Sequence, residues 1–235
     1  MDILFAIVII FVGSYVQSSI GFGLAIIAAP LLFFIDPAYV PAPITVCAFV
    51  LSIINSYGHR RAISLKGLKF SLIGRVPGTI AGGLLLLWID QKLLALWIGG
   101  SVIFAVLLSF KLVALKPTPS TLFTAGFLSG FMGTSSSIGG PPMALVLQHQ
   151  RVDYIRANLS AFFVVSCLMS IIMLSSVGLF GLRQILLALP LLPATLAGYW
   201  VATRTLHLVS DANLRIFSLT LCGIAGVAAI TSFFI

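Results

Sequence analysis

Gln17-Ser18-Ser19-Ile20-Gly21-Phe22-Gly23 and Gly133-Thr134-Ser135-Ser136-Ser137-Ile138-Gly139-Gly140-Pro141-Pro142 interrupt two long apolar runs, Ile3 to Ile35 and Leu122 to Leu147. As a single helix the first run would extend about 50 Å at 1.5 Å per residue, far beyond a ~30 Å hydrocarbon core. In the second, Pro141-Pro142 removes two backbone donors and forbids an undisturbed helix. Both runs therefore read as broken or re-entrant helical hairpins with polar, Gly- and Ser-rich tips. The arm Ile3 to Val16, roughly 21 Å as helix, is expected to carry the first tip just past the middle of the bilayer.

The rest of the chain agrees with a membrane setting. Of 235 residues, 60% are hydrophobic and 8% charged, against about 45–50% and 25% in an ordinary globular domain. A water-soluble fold lacks the polar shell it would need, and the expected class is an all-α polytopic membrane protein. Eight apolar blocks follow: Ile3–Ile35, Val40–Tyr57, Leu68–Ile89, Leu93–Leu115, Leu122–Leu147, Ala157–Leu179, Ile185–Thr203 and Ile216–Ile235. The start of the chain is apolar after Asp2, lacks a basic flank and continues past the length of a signal peptide, so it is expected to be retained. Cys47, Cys167 and Cys222 stand alone in apolar runs and read as small core residues, with no metal or disulfide spacing.

Three segments recur in order. Ser18-Ser19-Ile20-Gly21 returns as Ser136-Ser137-Ile138-Gly139, and Phe49-Val50-Leu51-Ser52 as Phe163-Val164-Val165-Ser166. Pro77-Gly78-Thr79-Ile80-Ala81-Gly82 returns as Pro193-Ala194-Thr195-Leu196-Ala197-Gly198. The offsets of 118, 114 and 116 imply a duplicated unit, residues 1–116 and 117–235, joined about Lys116-Pro117-Thr118-Pro119.

Charge orients the halves. With single crossings throughout, the 13 Lys and Arg divide 8 to 5; with two hairpins that dip and return, they divide 11 to 2. The positive-inside rule favours the second arrangement, which puts the basic connections in the cytoplasm and both termini outside. Each half then holds a hairpin plus three crossings, an odd number, so the halves are inverted copies. The net charge of +8 is explained by this bias, and no nucleic-acid partner is implied.

Inverted repeats with broken helices bring such tips to a central cavity, where glycines allow close approach and N–H groups and hydroxyls suit an oxyanion. Candidate binding residues are Gln17, Ser18, Ser19, Gly21 and Gly23 in the first tip, and Ser135, Ser136, Ser137, Gly139 and Gly140 in the second. Arg75, six residues after Lys69, lies inside the third block and could draw anions in. Asn55 is a further candidate, with Ser52, Asn158 and Ser166 as other polar positions along a path.

No carboxylate falls in a span, and His59, His149 and His207 lie in or beside connections. An intramembrane carboxylate relay and a serine–histidine protease are both disfavoured, and no catalytic, metal or cofactor site is expected. Efflux needs no relay, because the potential supplies about 2.3 kcal/mol per elementary charge per 100 mV. The partners expected are a small anion and the lipid bilayer. An anion channel, or an importer of another small organic acid or sulfur compound, is the competing reading.

At the tips the chain resembles the sulfite exporter TauE/SafE family. The likeness rests on Ser19-Ile20-Gly21-Phe22-Gly23 followed by Pro30, and on Gly126-Phe127-Leu128-Ser129-Gly130-Phe131-Met132-Gly133 leading to Ile138-Gly139-Gly140-Pro141-Pro142. It covers nearly the whole chain. The resemblance implies a permease of the bacterial inner membrane that exports sulfite or small organosulfonates. The family pattern often has three consecutive glycines at the tips. Here a serine triplet precedes Gly139-Gly140, and Leu24 follows Gly23.

Overall fold

A computed structural model describes residues 2–110, 115–205 and 220. Among them there are helices and turns and no strand. The last expected block, Ile216–Ile235, lies outside the described residues save Thr220, as do His207 and Cys222.

The first apolar run forms α1 (Asp2–Ile20) and α2 (Leu24–Ile35). The helix stops where Gly21 and Gly23 take φ of 94° and 129°, a region that residues with a Cβ rarely enter. The chain then turns back: Leu24 N–H donates to Gln17 Oε1 at 3.3 Å, and a Cβ on Gly13 would lie 3.0 Å from Leu24 O. Asp36 ends α2, its Oδ1 accepting from Ala38 N–H at 2.8 Å to cap the 3-10 turn Pro37–Tyr39. Next come α3 (Ala42–Gly58), α4 (Leu65–Leu85) and α5 (Gln91–Phe110).

After residues 115–118 comes α6 (Pro119–Ser136), started by a reciprocal cap between Thr118 and Thr121. It breaks at Ser137-Ile138-Gly139 and resumes as α7 (Gly140–Leu147). Ser129 Oγ donates to Gly139 O at 2.5 Å, so here too the chain folds back on its first arm. α8 (Val152–Ser176) follows, then α9 (Leu182–Ala188), a 3-10 turn at Leu189-Pro190-Leu191, and α10 (Leu192–Thr205).

Both hairpins are longer than expected. α1 continues to Ile20, 19 residues and about 28 Å, rather than ending at Val16. The serines are accommodated inside the helices, each hydroxyl satisfied by the carbonyl one turn back: Ser19 by Tyr15 O, Ser135 by Phe131 O, Ser136 by Met132 O. Only Gly21-Phe22-Gly23 and Ser137-Ile138-Gly139 leave the helix.

Among the described residues, five segments are long and apolar enough to cross a membrane: 2–20, 37–58, 91–108, 152–176 and 182–205. α4, at 21 residues, is long enough for a ~30 Å core, but Lys66, Lys69 and Arg75 set it apart from them. It packs along α6 at backbone contact. A Cβ on Gly74, Gly78 or Gly82 would run into the carbonyl of Phe123, Phe127 or Phe131, and one on Gly126 or Gly130 into Ser71 or Arg75 O. On its far side α4 exposes Phe70, Ile73, Val76, Ile80 and Leu84, an apolar stripe of the kind a helix turns toward lipid. In the same manner α10 lies along α1, with Gly198 against Phe11 O, and α3 lies along α8.

The buried apolar residues form two clusters. One gathers α1, α2, α3 and α5 around Ile10, Leu32, Ile44, Leu51 and Ile98. The other gathers α6, α7 and α8 around Met143, Leu159, Phe162 and Phe163.

Candidate functional site

Between the two clusters the breaks touch: a Cβ on Gly140 would lie 3.0 Å from Phe22 Cβ. They meet staggered rather than end to end. Ser18 Oγ accepts from Asn55 Nδ2 near the end of α3 (3.3 Å), and Gly21 lies beside Arg156 and Leu159 at the start of α8. Ser137 Oγ instead donates to Pro41 O (2.8 Å) and lies 3.3 Å from Thr45 Oγ1, at the opposite end of α3. Each tip has passed the other.

Where they overlap, a cavity of about 40 Å³ opens. At about 10–15 Å³ per water-sized sphere this is room for roughly three such groups. Gln17, Phe22 and Gly23 line it from the first hairpin, Gly133 and Ser137 to Gly140 from the second. Ala25 and Ile26 of α2, Thr45 and Ala48 of α3, Arg75 of α4, and Phe163, Ser166, Cys167 and Ser170 of α8 complete the wall.

Arg75 dominates the cavity electrically. It is 2% exposed, and its guanidinium meets only neutral acceptors. Nη1 donates to Ser129 O (2.5 Å) and Ser129 Oγ (2.8 Å), Nη2 to Ser170 Oγ (3.0 Å) and Ser166 O (3.3 Å). The Phe162 ring lies 5.8 Å below the guanidinium carbon. Nε is buried without a partner, and so is the Ser166 hydroxyl. A buried charge is ordinarily paired, because an uncompensated one costs several kcal/mol. The four described carboxylates, Asp2, Asp36, Asp90 and Asp153, stand at or near helix starts or ends, away from the cavity.

Gln17 supplies a second feature. Because its partner is the Leu24 N–H, the bonded atom must be the amide oxygen, which leaves the NH2 group to the cavity. The backbone offers less. Pro141 and Pro142 sit in the first turn of α7, so two of the four free N–H groups of a helix start are missing there. The first N–H of α2 is already held by Gln17.

Of the twelve sequence candidates, Gln17, Gly23, Arg75, Ser137, Gly139 and Gly140 line this cavity together. Ser18, Ser19, Gly21, Asn55, Ser135 and Ser136 do not. Asn55 holds Ser18 and its own helix, and Ser135 accepts from Trp97 Nε1 at 2.8 Å. Asn158 ties the α3–α4 connection, accepting from Ser64 N–H and donating to Ala62 O. Ser129, Ser170 and Thr45 were not singled out by sequence. Ser129 sits in the run of small residues Gly126, Ser129, Gly130 and Gly133, whose spacing marks a close-packed face. Among the described residues no cluster of His, Cys and Asp could hold a metal ion.

No curated protein and no solved structure matches the chain. Residues 5–229 match the family model described as Sulfite exporter TauE/SafE, and with nearly the whole chain covered this protein belongs to that family of membrane transporters.

Proposed function

We propose that the protein carries small sulfur-containing anions such as sulfite or organosulfonates out of the cell, through the cavity between the two helix breaks. The observation that carries this reading is Arg75, a fully buried cation at a cavity, with no acidic partner among the described residues. Such a charge is tolerated in a membrane interior where an anion completes it. The size of the cavity suits a few heavy atoms, in keeping with the family's sulfite-type cargo.

Residues 1–116 and 117–235 act as inverted halves. Support comes from the packing, in which partners are exchanged: α4 of the first half lies on α6 of the second, and α10 of the second on α1 of the first. Alternating access by rocking of these pairs is the mode that such repeats favour over a channel. The basic connections face the cytoplasm, the termini face out, and the interior-negative potential drives efflux.

Proteoliposomes under an imposed potential test this with sulfite, sulfoacetate, methanesulfonate and acetate. Saturable flux that follows the potential is expected. In a monodisperse Arg75→Gln protein it should fall about ten- to hundredfold, the equivalent of one charge-assisted hydrogen bond at ~1.5–3 kcal/mol. Undiminished flux in that variant would remove Arg75 from the path. No flux of any of these anions would sink the substrate class.

A further inference from the structure

The cavity contains one formal charge. A guanidinium cannot lose its proton in a protein, so Arg75 contributes a fixed single positive charge. The other buried cation of the described helices, Arg156, lies ten residues before Ser166 on α8, about 15 Å by helical rise, and does not line the cavity. Two further donors point to a ligand: the Ser166 hydroxyl, which has no partner, and the Gln17 NH2 group, left over when its oxygen binds Leu24. Together with the Arg75 guanidinium they make a lining in which one donor group is charged and the others are neutral. The prolines of α7 remove two of the backbone N–H groups that could have balanced more negative charge.

From this we infer that the site selects anions by charge, taking those with a single negative charge and excluding dianions. The inference rests on the anion-transport reading of the same cavity. A monoanion neutralises Arg75 and leaves the cavity without net charge. A dianion in the same place leaves one negative charge buried and unpaired, the arrangement that costs most in a water-poor site. For the sulfur oxyanions this means hydrogen sulfite and singly charged sulfonates, rather than sulfite itself, sulfate or a sulfonate that also carries a carboxylate. The proton of hydrogen sulfite then travels with it.

The full chain in proteoliposomes, with flux through protein-free liposomes subtracted, decides the matter. Methanesulfonate, a monoanion at every pH used, should move at a rate independent of pH. Sulfite flux, at fixed total concentration, should rise as pH falls through the second ionisation of the acid. Sulfate should compete with labelled methanesulfonate at least about tenfold more weakly than unlabelled methanesulfonate does. A Ser166→Ala protein should bind methanesulfonate about two- to tenfold more weakly, the loss of one neutral hydrogen bond, while keeping the preference over sulfate. Sulfate transport or competition equal to that of methanesulfonate would overturn charge selection and leave anion transport standing. Loss of the preference in Ser166→Ala would overturn the assignment of that preference to Arg75. If no anion moves, both this inference and the transport reading fall.

Discussion

Ser137 shows how a single backbone position can hold a hydroxyl where glycine would be easier. Its φ of 66° is left-handed, a conformation that costs a residue with a Cβ roughly 1–2 kcal/mol. Its hydroxyl donates to Pro41 O, but that carbonyl also accepts from the Thr45 hydroxyl (2.8 Å) and the Thr45 N–H (3.1 Å). Glycine would therefore relieve the backbone and strand no buried acceptor. Ser137→Gly is expected to match or exceed the parent in thermal stability in detergent, by up to about 1 kcal/mol, whereas Ser137→Val should lose about 2 kcal/mol. A clear loss in the glycine variant would mean that the hydroxyl holds the break. His59 presents the opposite case, a titratable group in the connection after α3. Burial pushes its pKa down, the Arg156 charge adds to this, and Asp153 opposes it. The folded state thus prefers neutral His59. That stability is complete above the ordinary histidine range and is lost as pH falls through it toward the lowered value. Stability measured on acidification should drop in the parent and drop less in His59→Gln; parallel curves would exclude the histidine.

At the scale of helices, α4 and α6 depend on being nearly featureless where they meet. Gly78 faces Phe127 O so closely that no side chain fits, and Gly74 and Gly82 repeat the contact one turn to either side. Gly78→Leu must push the helices apart and is expected to destabilise by more than about 2 kcal/mol, with loss of monodisperse protein. Gly100 of α5 has nothing within 4 Å, and Gly100→Ala should be neutral or stabilising by about 0.5–1 kcal/mol. Equal effects of the two changes on melting temperature would contradict the packing. The glycine spacing was visible in the sequence, yet its role was not, because the partner carbonyls belong to α6, far along the chain. The breaks themselves were legible, since Gly and Ser crowded together inside an apolar stretch, with two prolines in the second, work against a continuous helix. The helix ends were not, because back-bonded serines stay helical where polarity alone suggests a tip. Arg75 stood out as a charge in a span. Its acceptors Ser129 and Ser170 are 54 and 95 residues away, and no local pattern joins them.

For the whole molecule, the sidedness of the connections distinguishes two ways of threading the same helices. If each hairpin enters and leaves on one side, the turn after α4, which carries Trp88, faces outward and the turn before α8, which carries Arg151, faces inward. If the first and fifth apolar runs each crossed once, Trp88 and Arg151 would lie on the same face. Both side chains are exposed, Trp88 at 85%, so either can be replaced by cysteine without disturbing a core. Cys47 and Cys167 are buried and give little background, and Cys222, outside the described residues, is replaced by serine in the parent for labelling. An impermeant thiol reagent applied to intact cells should label Trp88→Cys and spare Arg151→Cys, and inverted vesicles should reverse the pattern. Thr118→Cys, at the junction of the halves, should behave like Arg151→Cys. The charge count sets the sign: 11 of 13 basic residues then face the cytoplasm, whereas single crossings leave a bias too small to orient the chain firmly. Labelling of Trp88→Cys and Arg151→Cys from one face would refute the inverted arrangement. The exchange of helix partners between halves would then need a cause other than symmetry.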